Sequence, residues 1–331
     1  MVITRTPFRI SFFGGGTDFP GHYLAHGGKV LSTTINKYCF ITCRYFPPFF
    51  DYRFLIRYTE REETFHIHEI RHPSVRECLN HMGVDRGVEV THTSDVPAMS
   101  GIGSSSSFTV GLLLALNALQ GKMITKRQLL YDALHVEQEL IGENVGSQDQ
   151  TAAAFGGLNR IDFVAGSGEI QVLPVPLSQE RRDLLQQNLL LYFTGFQRFS
   201  SDIAAEQVER IEENRRQLEA TSGYVDRALE ILNGPVAQLD DFGRLLDEAW
   251  QVKRGLTSRV SNAQLDEFYA AAKAAGALGG KVCGAGGGGF MLFYVPLSHQ
   301  ARFKSKLHKL LMVPFRFDML GSQIIYYAPM S

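Results

Sequence analysis

The stretch PAMSGIGSSSSFTVGLLLAL, Pro97 to Leu116, joins a run of glycines and serines to an unbroken apolar segment. Phe108, Gly111, Leu112, Ala115, Leu116 and Leu119 recur at i, i+3, i+4, i+7, i+8 and i+11, which is a helical period. Val110, Leu113 and Leu114 make other faces apolar too, so the helix reads as buried. Glycines and small hydroxyl residues therefore stand at the N-terminus of a buried helix. Unpaired backbone N–H groups and the positive end of the dipole gather there, and such an end binds phosphate. One cap residue serves an ordinary helix; Gly101, Gly103 and the run Ser104 to Ser107 exceed that need. The segment predicts a phosphate loop.

Two other phosphate motifs are excluded. GxxxxGK[ST] occurs nowhere, so there is no Walker-type loop. GxGxxG does occur, at Gly284, Gly286 and Gly289, but it runs into the strand-like FMLFYV, and no acid follows before Asp318. A dinucleotide site needs a strand before, a helix after and an earlier acid. The segment GGKVCGAGGGGF, Gly279 to Phe290, still holds more glycine than a tight turn requires. Glycine costs conformational entropy, so Gly284 and Gly286 to Gly289 read as backbone passing close to a ligand or to another loop. The same holds for Gly14, Gly15 and Gly16, followed by Thr17 and Asp18. That aspartate caps a turn or binds hydroxyls.

On KRQLLYDALHVEQELIGE the apolar positions are Leu129, Leu130, Ala133, Leu134, Leu140 and Ile141. At about 100° per residue, Glu137 falls inside this stripe, whereas Glu139 and Glu143 fall outside it. A buried carboxylate needs a partner. A structural ion pair would serve, but one helix after a phosphate loop the preferred reading is a ligand for Mg²⁺, which takes few carboxylates plus phosphate oxygens. A second acid, Asp149, stands in GSQDQTAAAFGG between Gly146 and a small-residue helix. Two acids and a phosphate loop are the parts of a phosphoryl-transfer site.

Composition bounds the rest. With 33 Lys plus Arg against 34 Asp plus Glu over 331 residues, no net field draws nucleic acid or acidic lipid. The cysteines Cys39, Cys43, Cys78 and Cys283 match no zinc or redox spacing and read as reduced thiols. MVITRTPFRISFF lacks a signal-peptide layout, and the longest apolar run is too short for a membrane span, so a cytoplasmic location is expected.

Strand signals fill the first half, at Val2–Phe13, Lys29–Thr34, Tyr38–Phe46, Arg53–Tyr58 and Val88–Thr93, with a short helix over Ser74–Met82. Helices follow at 104–120 and 125–143, then strands near Leu158–Phe163 and Ile170–Val175. After the strand Leu189–Phe193, helical patterns run from 199 to 275, with breaks at Ser222-Gly223 and Gly234-Pro235. Strand and turn return at 279–295, with a basic helix at 298–312 and a last strand at 321–327. Segregated strands and helices favour an α+β fold over a doubly wound one. The division expected is 1–178 and 179–331.

Taken together, TPFRISFFGGGTD (Thr6 to Asp18), PAMSGIGSSSS and KVCGAGGGGF resemble, in order and spacing, the three motifs of the GHMP kinase superfamily. The resemblance covers nearly the whole chain. It implies a two-domain α+β fold, with an N-terminal domain like ribosomal protein S5 domain 2 and a ferredoxin-like C-terminal domain with added helices. ATP and acceptor would share the cleft between them. FRISFFGGGTDFP, GSQDQTAAAFGG, DEAWQVKRGL and GALGGKVCGAGGGGF look most like D-glycero-D-manno-heptose 7-phosphate kinases, which phosphorylate the anomeric O1 on the route to nucleotide-activated heptose for surface polysaccharide.

Carried over by position, the resemblance implies Asp149 and Arg9 as catalytic residues. Pro97, Gly101, Ile102, Gly103, Ser104, Ser105 and Ser106 would hold ATP, and Ser105 with Glu137 would hold Mg²⁺. Gly16, Thr17 and Asp18 would contact the sugar, while Lys281 or Arg254 is nominated for its 7-phosphate. Gly284, Gly286, Gly287 and Gly288 form the C-terminal glycine motif. Gly14-Gly15-Gly16 departs from the GEH of galactokinases, which argues against galactose. An unphosphorylated acceptor such as fucose, or a catalytically silent sugar sensor, are the competing readings. The assembly state, a homodimer included, is left open, and the partners expected are small molecules only.

Overall fold

The computed structural model describes residues 1–195 and 200–328. Its first sheet grows from β1 (Val2–Phe13), whose first half alternates buried and half-buried residues while its second half is buried on both faces. That change of pattern marks where the strand passes from a sheet with one covered face into the centre of the molecule. β2 (Gly28–Tyr45) pairs antiparallel along all of β1. Two strands were expected here. The polar pair Asn36-Lys37 does not break the strand, because a register shift between Pro7 and Phe8 absorbs it as a bulge.

The remaining strands of this half are β3 (Phe54–Arg57), β4 (Arg61–Thr64), β5 (Val88–Ser94), β6 (Leu158–Phe163) and β7 (Ile170–Pro174). β3 runs parallel to β5, and the other pairs are antiparallel. The helices are α1 (Pro20–His26), α2 (Pro73–His81), α3 (Ser104–Leu119), α4 (Lys126–Leu134) and α5 (Gln148–Phe155). α3 is buried on nearly every face, as its uniform apolarity predicts. The helix expected over 125–143 is interrupted: α4 passes into a wider π turn at His135–Leu140, which carries Glu137.

The second half begins with α6 (Gln179–Asn188) and β8 (Leu189–Phe193), followed by α7 (Ser200–Glu209), α8 (Arg215–Asn233), α9 (Asp240–Arg254) and α10 (Ala263–Ala274). β9 (Gly279–Val282), β10 (Phe290–Tyr294), α11 (Gln300–Lys306) and β11 (Leu311–Met312) complete it. The strands form a four-stranded sheet in the order β11-β8-β10-β9. The expected break at Ser222-Gly223 does not occur. A mid-helix glycine costs about 1 kcal/mol, and the buried stripe Leu218, Thr221, Val225, Ala228 and Leu232 carries α8 through it.

The chain does not divide at 178/179 as expected. β12 (Phe317–Asp318) pairs with β2, and β13 (Gln323–Tyr327) pairs with β1, so the C-terminus returns to the first sheet. The two parts also share core: Phe12 and Phe13 of β1 meet Phe242 of α9 edge-on, at 5.3 and 5.1 Å between ring centres. No helix among the described residues is long and apolar enough to cross a membrane.

Candidate active site

The loop before α3 is shaped by its glycines. Gly101 (φ 82°) and Gly103 (φ 78°) hold left-handed backbone that residues with a Cβ rarely adopt. Met99 (φ 54°) shares this conformation and is anchored through its N–H, which donates to Ser104 Oγ at 3.1 Å. Ile102 is fully buried beneath the loop, and its carbonyl accepts from Arg9 N at 3.0 Å. β1 thus holds the phosphate loop from below.

The same strand aims the Arg9 side chain at α5. Arg9 Nε and Nη2 donate to the two carboxylate oxygens of Asp149 at 2.7 and 2.8 Å, while Nη1 donates to Gly101 O at 2.7 Å. This bidentate fork fixes the carboxylate plane. Asp149 sits in the first turn of α5, where the helix dipole favours negative charge. Gly103 lies so close that a Cβ there would stand 3.3 Å from Asp149 Oδ2. The aspartate therefore faces the mouth of the phosphate loop.

Glu137 is fully buried, as the helical spacing predicted. Its Oε2 accepts from Ser106 Oγ at 2.8 Å and from Gln150 Nε2, and its Oε1 has no hydrogen-bond partner. Burial pushes its carboxyl up to about 7, against the lowering effect of the Thr109 hydroxyl and of the Gln150 and Ser106 donors. The hydroxyl that donates to Glu137 is that of Ser106; Ser105, expected to hold Mg²⁺ together with Glu137, is exposed at the cleft.

Arg9, Asp149 and the phosphate loop line a cleft of about 390 Å³; Glu137, fully buried, is not among its lining residues. Its lining includes Gly101, Gly103 and Ser104 to Ser106 with Arg9 and Asp149, and also Gly15, Gly16, Asp18 and Phe19. Residues 71–157 match the GHMP kinases N terminal domain, and residues 235–311 match the GHMP kinases C terminal domain. The chain belongs to the GHMP kinase family. It is a phosphotransferase acting on an alcohol acceptor, an ATP-dependent sugar kinase.

The kinase is 28% identical to a D-glycero-alpha-D-manno-heptose 7-phosphate kinase of Campylobacter jejuni over 89% of each chain. It is 27% identical to an L-fucokinase/L-fucose-1-P guanylyltransferase of Bacteroides fragilis, over 88% of this chain and 34% of that longer protein. The crystal structure of a D-glycero-D-manno-heptose 1-phosphate kinase from Bacteroides thetaiotaomicron superposes with a TM-score of 0.80 at 23% identity, covering 99% of this chain and all of that one. That last likeness speaks to the fold.

On the acceptor side of the kinase, the sequence expectations divide. Gly16 lines the cleft, and Asp18 lines it while capping its own turn: Gly16 N donates to Asp18 Oδ1 at 2.9 Å, and Gln148 N approaches Oδ2 at 3.4 Å. Burial, with Asp149 nearby, raises the Asp18 carboxyl above its ordinary value. Thr17 does not meet the cleft. It is fully buried, its hydroxyl shared between Gly14 O (2.8 Å) and Lys29 O (3.0 Å) while accepting from Lys29 N. Its work is to tie the glycine turn to β2.

The C-terminal glycine segment packs against the phosphate loop. Among its motif residues Gly284 lines the cleft, whereas Gly286 lies against Val260 O and Gly287 N donates to the same carbonyl at 2.9 Å. Gly286, Gly287 and Gly288 are not among the residues lining the cleft, nor are Pro97, which is exposed outside it, and Ile102, buried beneath. Arg254 points elsewhere, into an ion pair with Asp266 at 2.9 Å.

Its neighbour Lys253 is the residue that enters the cleft, together with Lys281. Lys253 escaped the sequence reading although a signal existed. It follows Phe242, Leu246 and Trp250 at i+11, i+7 and i+3, the centre of the buried stripe of α9. Like Glu137, it is a charged residue set inside an apolar helical stripe.

Proposed function

We propose that the kinase transfers the γ-phosphoryl group of ATP to the anomeric O1 of D-glycero-D-manno-heptose 7-phosphate, giving the 1,7-bisphosphate and ADP. The observation that carries this reading is the Arg9–Asp149 fork at the mouth of the Gly101–Ser105 loop. The Campylobacter relative, matched over 89% of both chains, supports the choice of acceptor.

In this reading the backbone N–H groups at the start of α3 receive the ATP phosphates. The acceptor hydroxyl lies between Asp149 and the γ-phosphorus. Its O1–P bond forms as the bond from γ-phosphorus to the β,γ-bridging oxygen breaks, and the O1 proton passes to Asp149. An anomeric hydroxyl is more acidic than an ordinary alcohol, so orientation of the attacking lone pair is the larger part of what Asp149 contributes. Arg9 holds that carboxylate in plane and offsets charge gathering on the transferring oxygens.

The orphaned, buried Oε1 of Glu137 fits a cation ligand. Glu137, with the hydroxyls of Ser105 and Ser106, would hold Mg²⁺. Mg²⁺ held there would offset the negative charge of the ATP phosphates.

Product masses from ATP with heptose 7-phosphate, free heptose and fucose test the assignment. A heptose 1,7-bisphosphate as main product is the expected result. Turnover of fucose or free heptose with none of the 7-phosphate would overturn it.

A further inference from the structure

The cleft holds three basic side chains, Arg9, Lys253 and Lys281, and Arg9 is committed to Asp149 and Gly101 O. The two lysines have no acidic partner: among the described residues no carboxylate lies within salt-bridge distance of either. Lys281, on β9, is almost entirely buried, and its Nζ donates to Phe12 O at 3.0 Å. Lys253, on α9, donates to Val282 O at 3.3 Å and to Gly284 O. An ammonium carries three donors, so two on Lys281 and one on Lys253 are unspent. Uncompensated ammonium groups at a desolvated wall are costly. The cost shows in both: burial draws Lys253 down to about 8, and burial with the Lys253 charge nearby draws Lys281 well below the ordinary lysine value.

We infer that Lys253 and Lys281 together form a seat for a phosphate dianion carried by the acceptor. With a dianion bound, which favours the protonated form of both amines, three free N–H donors and two positive charges match the three terminal oxygens and double charge of a phosphate monoester. The ligand class is a sugar bearing a terminal phosphate, and the inference rests on the proposed reading of a phosphorylated acceptor. The nucleotide phosphates have the N-terminus of α3. The rest of the cleft lining offers the acids Asp18, Glu143 and Asp149, neutral side chains such as Asn144 and Gln207, backbone, and apolar groups such as Phe19 and Leu256. None of these carries the positive charge that compensates a dianion. Lys281 also hangs from the strand end that leads into Gly14–Gly16, on the acceptor side.

The seat has a pH signature. Lys253 faces Cys283 from the loop after β9, Arg9 from β1 and Asp18 from the glycine turn, and its own charge acts on Lys281 of β9. In the free enzyme it is charged below about pH 8, so kcat/KM for the phosphorylated sugar should fall as pH rises through that value.

The test uses the full chain, ATP, heptose 7-phosphate and unphosphorylated heptose. In Lys253→Met the KM for heptose 7-phosphate should rise by about tenfold or more, as loss of a charged hydrogen bond implies. The preference in kcat/KM for the phosphorylated over the free sugar should shrink equally, while the Kd for ATP by calorimetry stays within about twofold. Lys253→Arg should retain the preference and lose the alkaline fall. Lys281→Met, checked for folding by circular dichroism, should repeat the loss; if it does not fold, the Lys253 pair of variants decides. Weakened ATP binding with an unchanged preference would assign the lysines to the nucleotide side, directly or through the Gly284 loop that Lys253 anchors, and overturn the inference. A wild type that turns over heptose 7-phosphate with an unaltered preference in Lys253→Met overturns the seat alone. A wild type that ignores phosphorylated sugars overturns both the seat and the proposed acceptor.

Discussion

Gly101 and Gly284 touch through bare backbone: a Cβ on Gly284 would stand 2.7 Å from Gly101 Cα, and one on Gly101 would stand 2.6 Å from Cys283 O. Both residues have positive φ, 82° and 67°. The phosphate loop of the first half is therefore backed by the glycine loop of the second, with no side chain between. Gly289 extends the same contact, passing close to Ser100 O. Closing the space between these loops should displace the groups that cradle the nucleotide.

Gly284→Ala tests that coupling. Alanine at φ +67° carries a backbone penalty of about 1 kcal/mol, and the clash with Gly101 adds to it. The expected outcome is a KM for ATP raised about tenfold, with a lower melting temperature in the absence of nucleotide. An ATP affinity unchanged from wild type would mean that the two loops move independently.

Asp149→Asn keeps a hydrogen-bond acceptor for Arg9 but removes the basic oxygen. A kcat about 10²- to 10⁴-fold lower is expected, with KM for both substrates little changed, since the Gly101–Ser105 loop and the acceptor wall stay in place. Steady-state ADP release measures this. A kcat within tenfold of wild type would leave the aspartate a purely structural partner of Arg9.

What the sequence discloses depends on how far apart the cooperating residues lie. Glu137 was legible from one helix, because a carboxylate inside an apolar stripe is a local contradiction. The buried helix behind the phosphate loop was legible for the same reason. Arg9 and Asp149 are 140 residues apart, and no periodicity links them; only the resemblance paired them. Thr17 shows the opposite failure. Position in a motif implied a sugar contact, but nothing in a motif says which way a hydroxyl turns, and here it turns into the β1–β2 connection. The return of β13 to β1 is equally invisible, since edge pairing between the two ends of a chain leaves no local trace.

Thr17→Val separates these two roles. Valine preserves the shape and leaves Lys29 N, Gly14 O and Lys29 O without their shared hydroxyl. A buried unmet hydrogen bond costs about 1–3 kcal/mol. Urea unfolding should register that loss. KM for the acceptor, measured at a temperature where the variant is folded, should stay within about threefold. A large rise in acceptor KM without destabilisation would restore Thr17 to the sugar site.

Glu137 makes a prediction about pH whose sign follows from burial. Its folded-state pKa of about 7 exceeds the ordinary carboxylate value near 4.5. Below about pH 4.5 the carboxyl is protonated in both folded and unfolded chains and costs nothing. As pH rises from there, the unfolded chain releases its proton while the folded one retains it, so stability falls. The fall is complete once pH exceeds about 7, and its ceiling is about 3 kcal/mol at 1.36 kcal/mol per unit. Glu137→Gln cannot ionise. In urea unfolding without divalent cations, wild type should therefore lose stability relative to Glu137→Gln between pH 5 and pH 8. The comparison rests on the slope, because the glutamine amide also meets the partnerless position of Oε1. Parallel stability profiles for the two proteins would mean that Glu137 is already ionised at pH 5, its charge met by the Thr109, Gln150 and Ser106 side chains.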